Sequence, residues 1–201
     1  MGRPPKFTSE EILDAAGGAV LERGRGVAVG EIAARLGVSE GAVFYRFATR
    51  EALLGELWAR AVERFQRGFL EALRLPDPDA AAAAAVAHIP AFCRASPEDA
   101  AAMRLFRQEQ LAAAVEGQLA ERVAAINDQA IEGLQALALR RFGDAGADRV
   151  ALASTACLES PYGLVRPYLG TSREIPAWLD RAAGAAAIAI LAVGDEPEAA
   201  A

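Results

Sequence analysis

The chain has 201 residues, of which 53% are hydrophobic and 6% aromatic, and it carries a net charge of -6 at pH 7. This length is enough to bury a sizeable core in one or two domains. No apolar stretch approaches the ~20 residues that span a bilayer, and the first residues lack the apolar segment of a secretory signal, so we expect a cytoplasmic protein. Abundant alanine and the absence of long alternating runs predict an all-α fold.

The charge is distributed unevenly along the chain. Residues 1–70 contain ten Lys and Arg against nine Asp and Glu, a net charge of +1, whereas residues 71–201 contain eleven against eighteen, a net charge of -7. Because an acidic surface repels the phosphate backbone, contact with nucleic acid is expected only from the N-terminal part.

Capping residues and hydrophobic spacing predict nine helices. Thr8 and Glu11 form a capping box that opens the first helix, Pro76 and Pro78 mark a linker, and Pro161 kinks or divides the eighth helix. The predicted helices cover about 9–23, 30–36, 40–47, 50–73, 79–94, 97–115, 118–142, 147–169 and 177–193.

Residues 29–47 have the pattern of a helix-turn-helix. Gly37 permits the turn, Ala33 is small where two helices would cross, and Val38 fills the space between them. Gly41 and Ala42 are small residues on the second helix, which allows a close approach to base edges. From spacing alone, an ordinary helical hairpin is an equal alternative.

The surrounding residues resemble the tetracycline-repressor (TetR) family over about residues 8–57. The matching positions are Ile32-Ala33, Gly37-Val38-Ser39, Gly41, Phe44-Tyr45-Arg46-Phe47, Arg50 and Leu53. The resemblance implies an all-α protein with a three-helix DNA-binding domain at residues 1–50, a helical ligand-binding and dimerisation domain at 51–194, and a disordered tail at 195–201.

The resemblance also implies which residues contact DNA. These are Arg3, Lys6, Gly30, Ser39, Glu40, Gly41, Ala42, Tyr45, Arg46, Thr49 and Arg50. Three positions depart from the family pattern: Phe44 stands where Tyr is usual, Arg46 where His is usual, and Glu40 where a basic or small residue is common. Glu40 either accepts a hydrogen bond from a cytosine amine or remains a solvated, repelled charge.

The resemblance places the dimer interface on the last two helices and a ligand cavity in the C-terminal domain. Aromatic and polar residues on apolar faces are the candidate ligand contacts, each with plain core packing as the alternative. The candidates are Trp58, Phe65, Phe69, His88, Phe92, Met103, Phe106, Asn127, Glu159 and Tyr162. With a single His and two isolated cysteines, we expect no metal site, catalytic triad or cofactor.

The sequence therefore predicts a homodimeric transcriptional repressor that binds a palindromic operator and is released by a small-molecule effector. An activator, or a ligand-independent DNA-binding protein with the same architecture, is the alternative. An enzyme is disfavoured because no nucleophile motif or phosphate-binding loop is evident. An architectural DNA-binding protein is disfavoured because residues 71–201 are acidic.

Overall fold

The computed structural model of the chain describes residues 7–195, which contain no β-strand and confirm the all-α prediction. The helices are α1 (Ser9–Arg23), α2 (Val29–Leu36), α3 (Glu40–Phe44), α4 (Arg50–Leu73), α5 (Pro78–Ala95), α6 (Pro97–Ala102), α7 (Gln108–Ala114), α8 (Gly117–Ala125), α9 (Asp128–Phe142), α10 (Ala147–Ser154), α11 (Ser160–Val165) and α12 (Trp178–Val193). No helix within residues 7–195 is long and apolar enough to cross a membrane.

The capping box at the start of α1 is confirmed. The Thr8 backbone N–H donates to the Glu11 carboxylate at 2.7 Å, and the Glu11 N–H donates to the Thr8 hydroxyl at 3.2 Å. The hydrogen bond from the Thr8 backbone N–H, followed by one from the Thr8 hydroxyl at 2.9 Å, holds the pKa of the Glu11 carboxyl below its ordinary value. The helix ends at Gly24, whose φ of 62° is accessible mainly to glycine.

The predictions of two long helices, over 97–115 and 118–142, are wrong, because each of these segments forms two helices in the structure. Between α6 and α7 the Met103 carbonyl accepts a hydrogen bond from the Trp58 indole at 3.1 Å, and Leu105 turns into the core. Between α8 and α9 the Asn127 side-chain oxygen accepts one from Gln66 at 2.9 Å. Tertiary contacts thus override a continuous helical pattern in both segments.

Pro161 divides the eighth predicted helix, as expected. It has no N–H to donate to the carbonyl four residues earlier, and the backbone forms a π-helical turn over Thr155–Glu159 between α10 and α11. The third helix is shorter than predicted, since α3 ends at Phe44 and tighter hydrogen-bonded turns carry the chain to Phe47.

Backbone contacts divide the chain into two compact units. The N-terminal unit comprises the residues up to Glu63 together with Pro97–Ile126, and the C-terminal unit comprises Arg64–Ser96 together with the residues from Asn127 onward. Compact units are not functional domains, so the predicted domain limits at 50 and 194 remain predictions. Asp195, at the start of the predicted tail, is bound by Arg141 at 2.7 Å, and residues 196–201 lie outside the described part.

Each unit has its own apolar core. The N-terminal unit buries Ile12, Val20, Ile32, Val43, Leu54 and Leu57, among others. The C-terminal unit buries Phe69, Val86, Leu134, Leu137, Cys157 and Leu191, among others. Helix α4 takes part in both cores, because its residues 50–63 belong to the N-terminal unit and its residues 64–73 to the C-terminal unit.

Candidate nucleic-acid interface

The turn between α2 and α3 has the geometry that its glycine predicts. Gly37 ends α2 in the left-handed conformation, with φ 65° and ψ 37°, and the Val38 N–H donates to the Ala33 carbonyl at 3.0 Å. This hydrogen bond beyond a left-handed glycine closes the end of the helix and redirects the chain. The turn therefore fixes the angle at which α3 leaves α2.

Helix α3 presents small and polar residues to the outside. Ser39 caps it, with its hydroxyl accepting from the Ala42 N–H at 3.3 Å. Val43 points into the core, whereas Glu40, Gly41, Ala42 and Tyr45 are exposed, Tyr45 to 81%. An exposed helix face with small residues at its start and an aromatic hydroxyl beyond it can enter a major groove.

Arg46 extends this exposed face towards the start of the described chain. Its guanidinium donates to the Phe7 carbonyl at 3.3 Å. Phe7 directly follows the segment that contains Arg3 and Lys6, two predicted DNA contacts that lie outside the described residues. Arg46, which is exposed, therefore lies beside the first described residue of the chain.

Thr49 and Arg50 differ in their availability for DNA. Thr49 caps α4 by accepting from the Ala52 N–H at 3.0 Å, which leaves its hydroxyl proton free to donate. The half-buried Arg50 donates from Nε to the Val27 carbonyl at 2.9 Å and from a terminal nitrogen to the Arg25 carbonyl. Arg50 thus holds the turn before α2, so replacing it would disturb the fold as well as any phosphate contact.

Gly30 lies against the side chain of Glu40. A Cβ atom at residue 30 would lie 2.6 Å from Glu40 Oε1, closer than real side chains allow. The absence of a side chain at Gly30 therefore permits α2 and the first residue of α3 to meet at this point. Both residues are predicted DNA contacts, and the structure brings them together.

The comparisons with known proteins address this helix-turn-helix. The family model described as bacterial regulatory proteins, tetR family, matches residues 8–57. Residues 8–57 are therefore similar to the helix-turn-helix part of this family of regulators. No curated protein matches the chain significantly.

Solved structures extend the shared TetR fold to nearly the whole chain. A transcriptional regulator from Rhodococcus sp. Rha1 is 23% identical, with a TM-score of 0.70 over 95% of this chain and 100% of that one. The TetR-family regulator PfmR from Thermus thermophilus is 19% identical, with a TM-score of 0.69 over 90% and 97%. FadR from Bacillus subtilis, solved in complex with stearoyl-CoA, is 14% identical, with a TM-score of 0.65 over 92% and 98%.

Four of the ten candidate ligand residues form one cluster in the C-terminal unit. The ring of Phe65 lies 5.5 Å from that of Phe69, 5.2 Å from that of His88 and 5.4 Å from that of Phe92. His88 Nε2 lies 2.8 Å from the Phe65 carbonyl, which identifies it as the protonated donor nitrogen. This aromatic cluster brings four of the predicted contacts together.

The other six candidates lie apart from the aromatic cluster. Trp58, Met103 and Phe106 belong to the N-terminal unit, where Trp58 donates to the Met103 carbonyl and Arg25 stacks on Phe106 at 4.8 Å. In the C-terminal unit Asn127 accepts from Gln66, Tyr162 is half-buried, and Glu159 is exposed and bound to the Ser154 hydroxyl at 3.1 Å.

Helix α12 carries an exposed apolar face that the sequence reading located only in part. Trp178 is 53% and Ile188 73% exposed, whereas Leu179 is buried in the chain's own core. Ile188 follows Trp178, Arg181 and Ala185 at helical spacing, so these four exposed residues share one face of α12.

Proposed function

We propose that the chain is a transcriptional repressor that acts in the cytoplasm, binds a palindromic operator as a homodimer and leaves it when a small-molecule effector binds. The observation that carries this proposal is the exposed α3 on a helix-turn-helix that matches the TetR family model. The predicted DNA contacts with described positions lie on α2, on α3 or within two residues of its ends, and at the start of α4 and its N-cap.

The homodimer is supported by the outer face of α12. Apart from Asp180, which is bound to Arg94, Arg181 is the only charge on this helix, and its exposed residues include Trp178 and Ile188. A helix that is apolar on all sides is normally buried, and a second copy of the chain would cover it. Two-fold symmetry then presents two α3 helices to half-sites about 34–36 Å apart.

The effector site is supported by the aromatic cluster of Phe65, Phe69, His88 and Phe92. Apolar rings with one polar group are typical of small-molecule sites, and the similar FadR was solved with stearoyl-CoA. Phe65 and Phe69 lie on α4, the helix that begins directly after the helix-turn-helix. An effector that binds this cluster more tightly in the DNA-free protein than in the DNA-bound protein would lower the affinity for the operator. Operator DNA would lower the affinity for the effector by the same factor.

Footprinting of the purified chain on DNA upstream of its own gene tests the DNA-binding part. We expect a discrete palindromic footprint. Tyr45→Ala should weaken it at least tenfold, as expected for loss of one central contact, because Tyr45 is exposed and its loss leaves the core intact. Ile131→Ala, at an exposed residue of α9, is the matched control. Uniform protection of any DNA would instead support a ligand-independent DNA-binding protein.

A charge placed on α12 tests the homodimer. Ile188→Glu should give a monomer in sedimentation equilibrium and abolish the footprint, because burying an unpaired carboxylate in the interface costs a large free energy. Leu139→Glu, at an equally apolar and 54% exposed residue of α9, should leave the dimer intact. A dimer that survives Ile188→Glu would exclude this face of α12 as the dimer interface.

In a promoter-reporter assay, lower expression with the protein present distinguishes a repressor from an activator.

A further inference from the structure

We propose that Glu40 is a specificity-determining residue that keeps DNA phosphate away from α2 until an operator base donates a hydrogen bond to its carboxylate. Glu40 would thus alternate between the start of α2 and the major groove. The inference rests on the proposed function, and it assigns to Glu40 and Gly30 coupled roles rather than two separate contacts.

The geometry places the carboxylate at the start of α2. Gly30 is the second residue of α2, and Glu40 Oε1 lies 2.6 Å from the position of a Cβ on it. Cα–Cβ bonds tilt towards the N-terminus of a helix, so the carboxylate lies beside the first turn of α2. The amides of a first turn have no partner within the helix and carry partial positive charge.

A phosphate bound to the first amides of α2 would lie close to this carboxylate. Among the described residues Glu40 has no hydrogen bond or ion pair, so no other group draws its charge away from α2. The Ala28 N–H is bound to Glu31 at 2.9 Å, which leaves the next amides of α2 for an outside anion. Two anions cannot share that position, because like charges repel strongly at such a distance.

Only some DNA sequences can move the carboxylate away. A carboxylate on a recognition helix accepts from the amino group of cytosine in the major groove. An operator with cytosine opposite Glu40 therefore gains a base contact and a phosphate contact in one movement. On other DNA the carboxylate either remains over Gly30 and excludes phosphate or enters the groove without a donor, which costs its desolvation.

Binding to two duplexes tests this coupling. Fluorescence anisotropy compares the footprinted operator with a scrambled duplex of the same composition over a salt series. Glu40→Gln should raise affinity for the scrambled duplex roughly three- to tenfold, and its salt slope should steepen by about 0.9 per bound subunit, the value for one more phosphate contact. Glu109→Gln removes the same charge from an exposed position of α7. It should leave the salt slope for the operator and that for the scrambled duplex unchanged. Thermal melts verify that both variants fold.

Base substitution provides the second readout. Replacing each cytosine of a half-site in turn should weaken the wild-type complex strongly at one position, by roughly 5- to 150-fold. Glu40→Gln should discriminate less at that position alone. An unchanged scrambled-duplex slope, or equal discrimination by both proteins at every position, would overturn the role of Glu40 while leaving DNA binding intact. Wild-type protein that binds neither duplex at low salt would instead refute the proposed function itself.

Discussion

The two parts of helix α4 are held by different chemistry. In the N-terminal unit α4 adds ion pairs to its apolar core contacts: Arg60 binds Glu10 at 2.8 Å and Asp14 at 2.9 Å, and Arg122 binds Glu56 and Glu63 at 2.9 Å each. In the C-terminal unit the aromatic cluster packs around residues 65–69. One continuous helix therefore carries ion pairs in the N-terminal unit and closely packed aromatic rings in the C-terminal unit.

The difference predicts where substitutions are tolerated. The carboxylates bound to Arg60 are mostly exposed, and such pairs contribute only about 0–1 kcal/mol each. In the C-terminal unit a Cβ on Gly68 would lie 2.4 Å from the His88 ring. The groups buried at this point cannot move out into water to make room for an added atom. Stability should consequently be sensitive to volume and to burial of charge in the C-terminal unit, and much less sensitive to surface charge in the N-terminal unit.

Alkaline pH should produce the largest effect, through Cys93 and Cys157. Burial raises the pKa of Cys93 to about 11 and that of Cys157 to about 12. Above the thiol's ordinary pKa of 9.0, the unfolded chain loses these protons while the folded chain retains them. The free energy of unfolding should therefore fall from about pH 9 upward, by about 3 kcal/mol in total at pH 10 relative to pH 8.

Urea denaturation at several pH values measures this loss. Both cysteines of the chain lie in the C-terminal unit, so Cys93→Ala/Cys157→Ala should flatten the curve between pH 8 and 10. The cavities left by the substitutions lower stability equally at every pH and leave the slope unaffected. If the double variant and the wild type fall in parallel, the buried thiols are not the cause of alkaline unfolding.

Gly68→Ala should produce the next largest effect. The new methyl group must displace the His88 ring, which is held by the Phe65 carbonyl and by the rings of Phe65 and Phe92. Overpacking of this kind costs about 1–3 kcal/mol, although alanine alone would favour the helix by up to about 1 kcal/mol. We expect a net destabilisation of about 2 kcal/mol in chemical denaturation.

A second background reverses the sign of this effect. In a His88→Ala protein the ring is absent, so Gly68→Ala should be neutral or stabilising. The double-mutant cycle then gives a coupling energy of about 2 kcal/mol. Destabilisation of equal size in both backgrounds would mean that Gly68 is required for another reason, such as backbone flexibility.

How much of this was predictable depends on whether a feature is local. The Thr8–Glu11 capping box, the turn at Gly37 and the division at Pro161 follow from residues a few positions apart, and each was predicted. The contacts of Gly68 with His88 and of Arg50 with the Val27 carbonyl join residues about twenty positions apart. Glycine and arginine fit the helical pattern of α4 whether or not these contacts are made. The hydrophobic periodicity of the sequence therefore does not indicate them.

Trp58→Phe tests a polar contact within the N-terminal unit. It removes the indole N–H that donates to the Met103 carbonyl at 3.1 Å and should lower the free energy of unfolding by about 1 kcal/mol. Tyr45→Phe, at an exposed residue, should change it by less than about 0.5 kcal/mol. An equal loss in both variants would remove the evidence that this bond stabilises the turn after α6.

Arg60→Met should have the smallest effect, although Arg60 is only 9% exposed and binds two carboxylates. Its Nε is buried without a hydrogen-bond partner among the described residues, and methionine keeps most of the apolar stem while removing that uncompensated group. The released Asp14 carboxylate returns to water. We expect the free energy of unfolding to fall by less than about 1 kcal/mol. The difference between variant and wild type should become smaller still in 1 M salt, because salt screens ion pairs with exposed partners.

Arg60→Ala separates the packing of the arginine stem from its charge. It should cost more than Arg60→Met, because alanine leaves the space of the stem empty, and this extra cost should be independent of salt. If Arg60→Met instead costs over about 2 kcal/mol and loses that cost in high salt, then ion pairs do hold the first half of α4. The two halves of the helix would then differ in the kind of interaction but not in its strength.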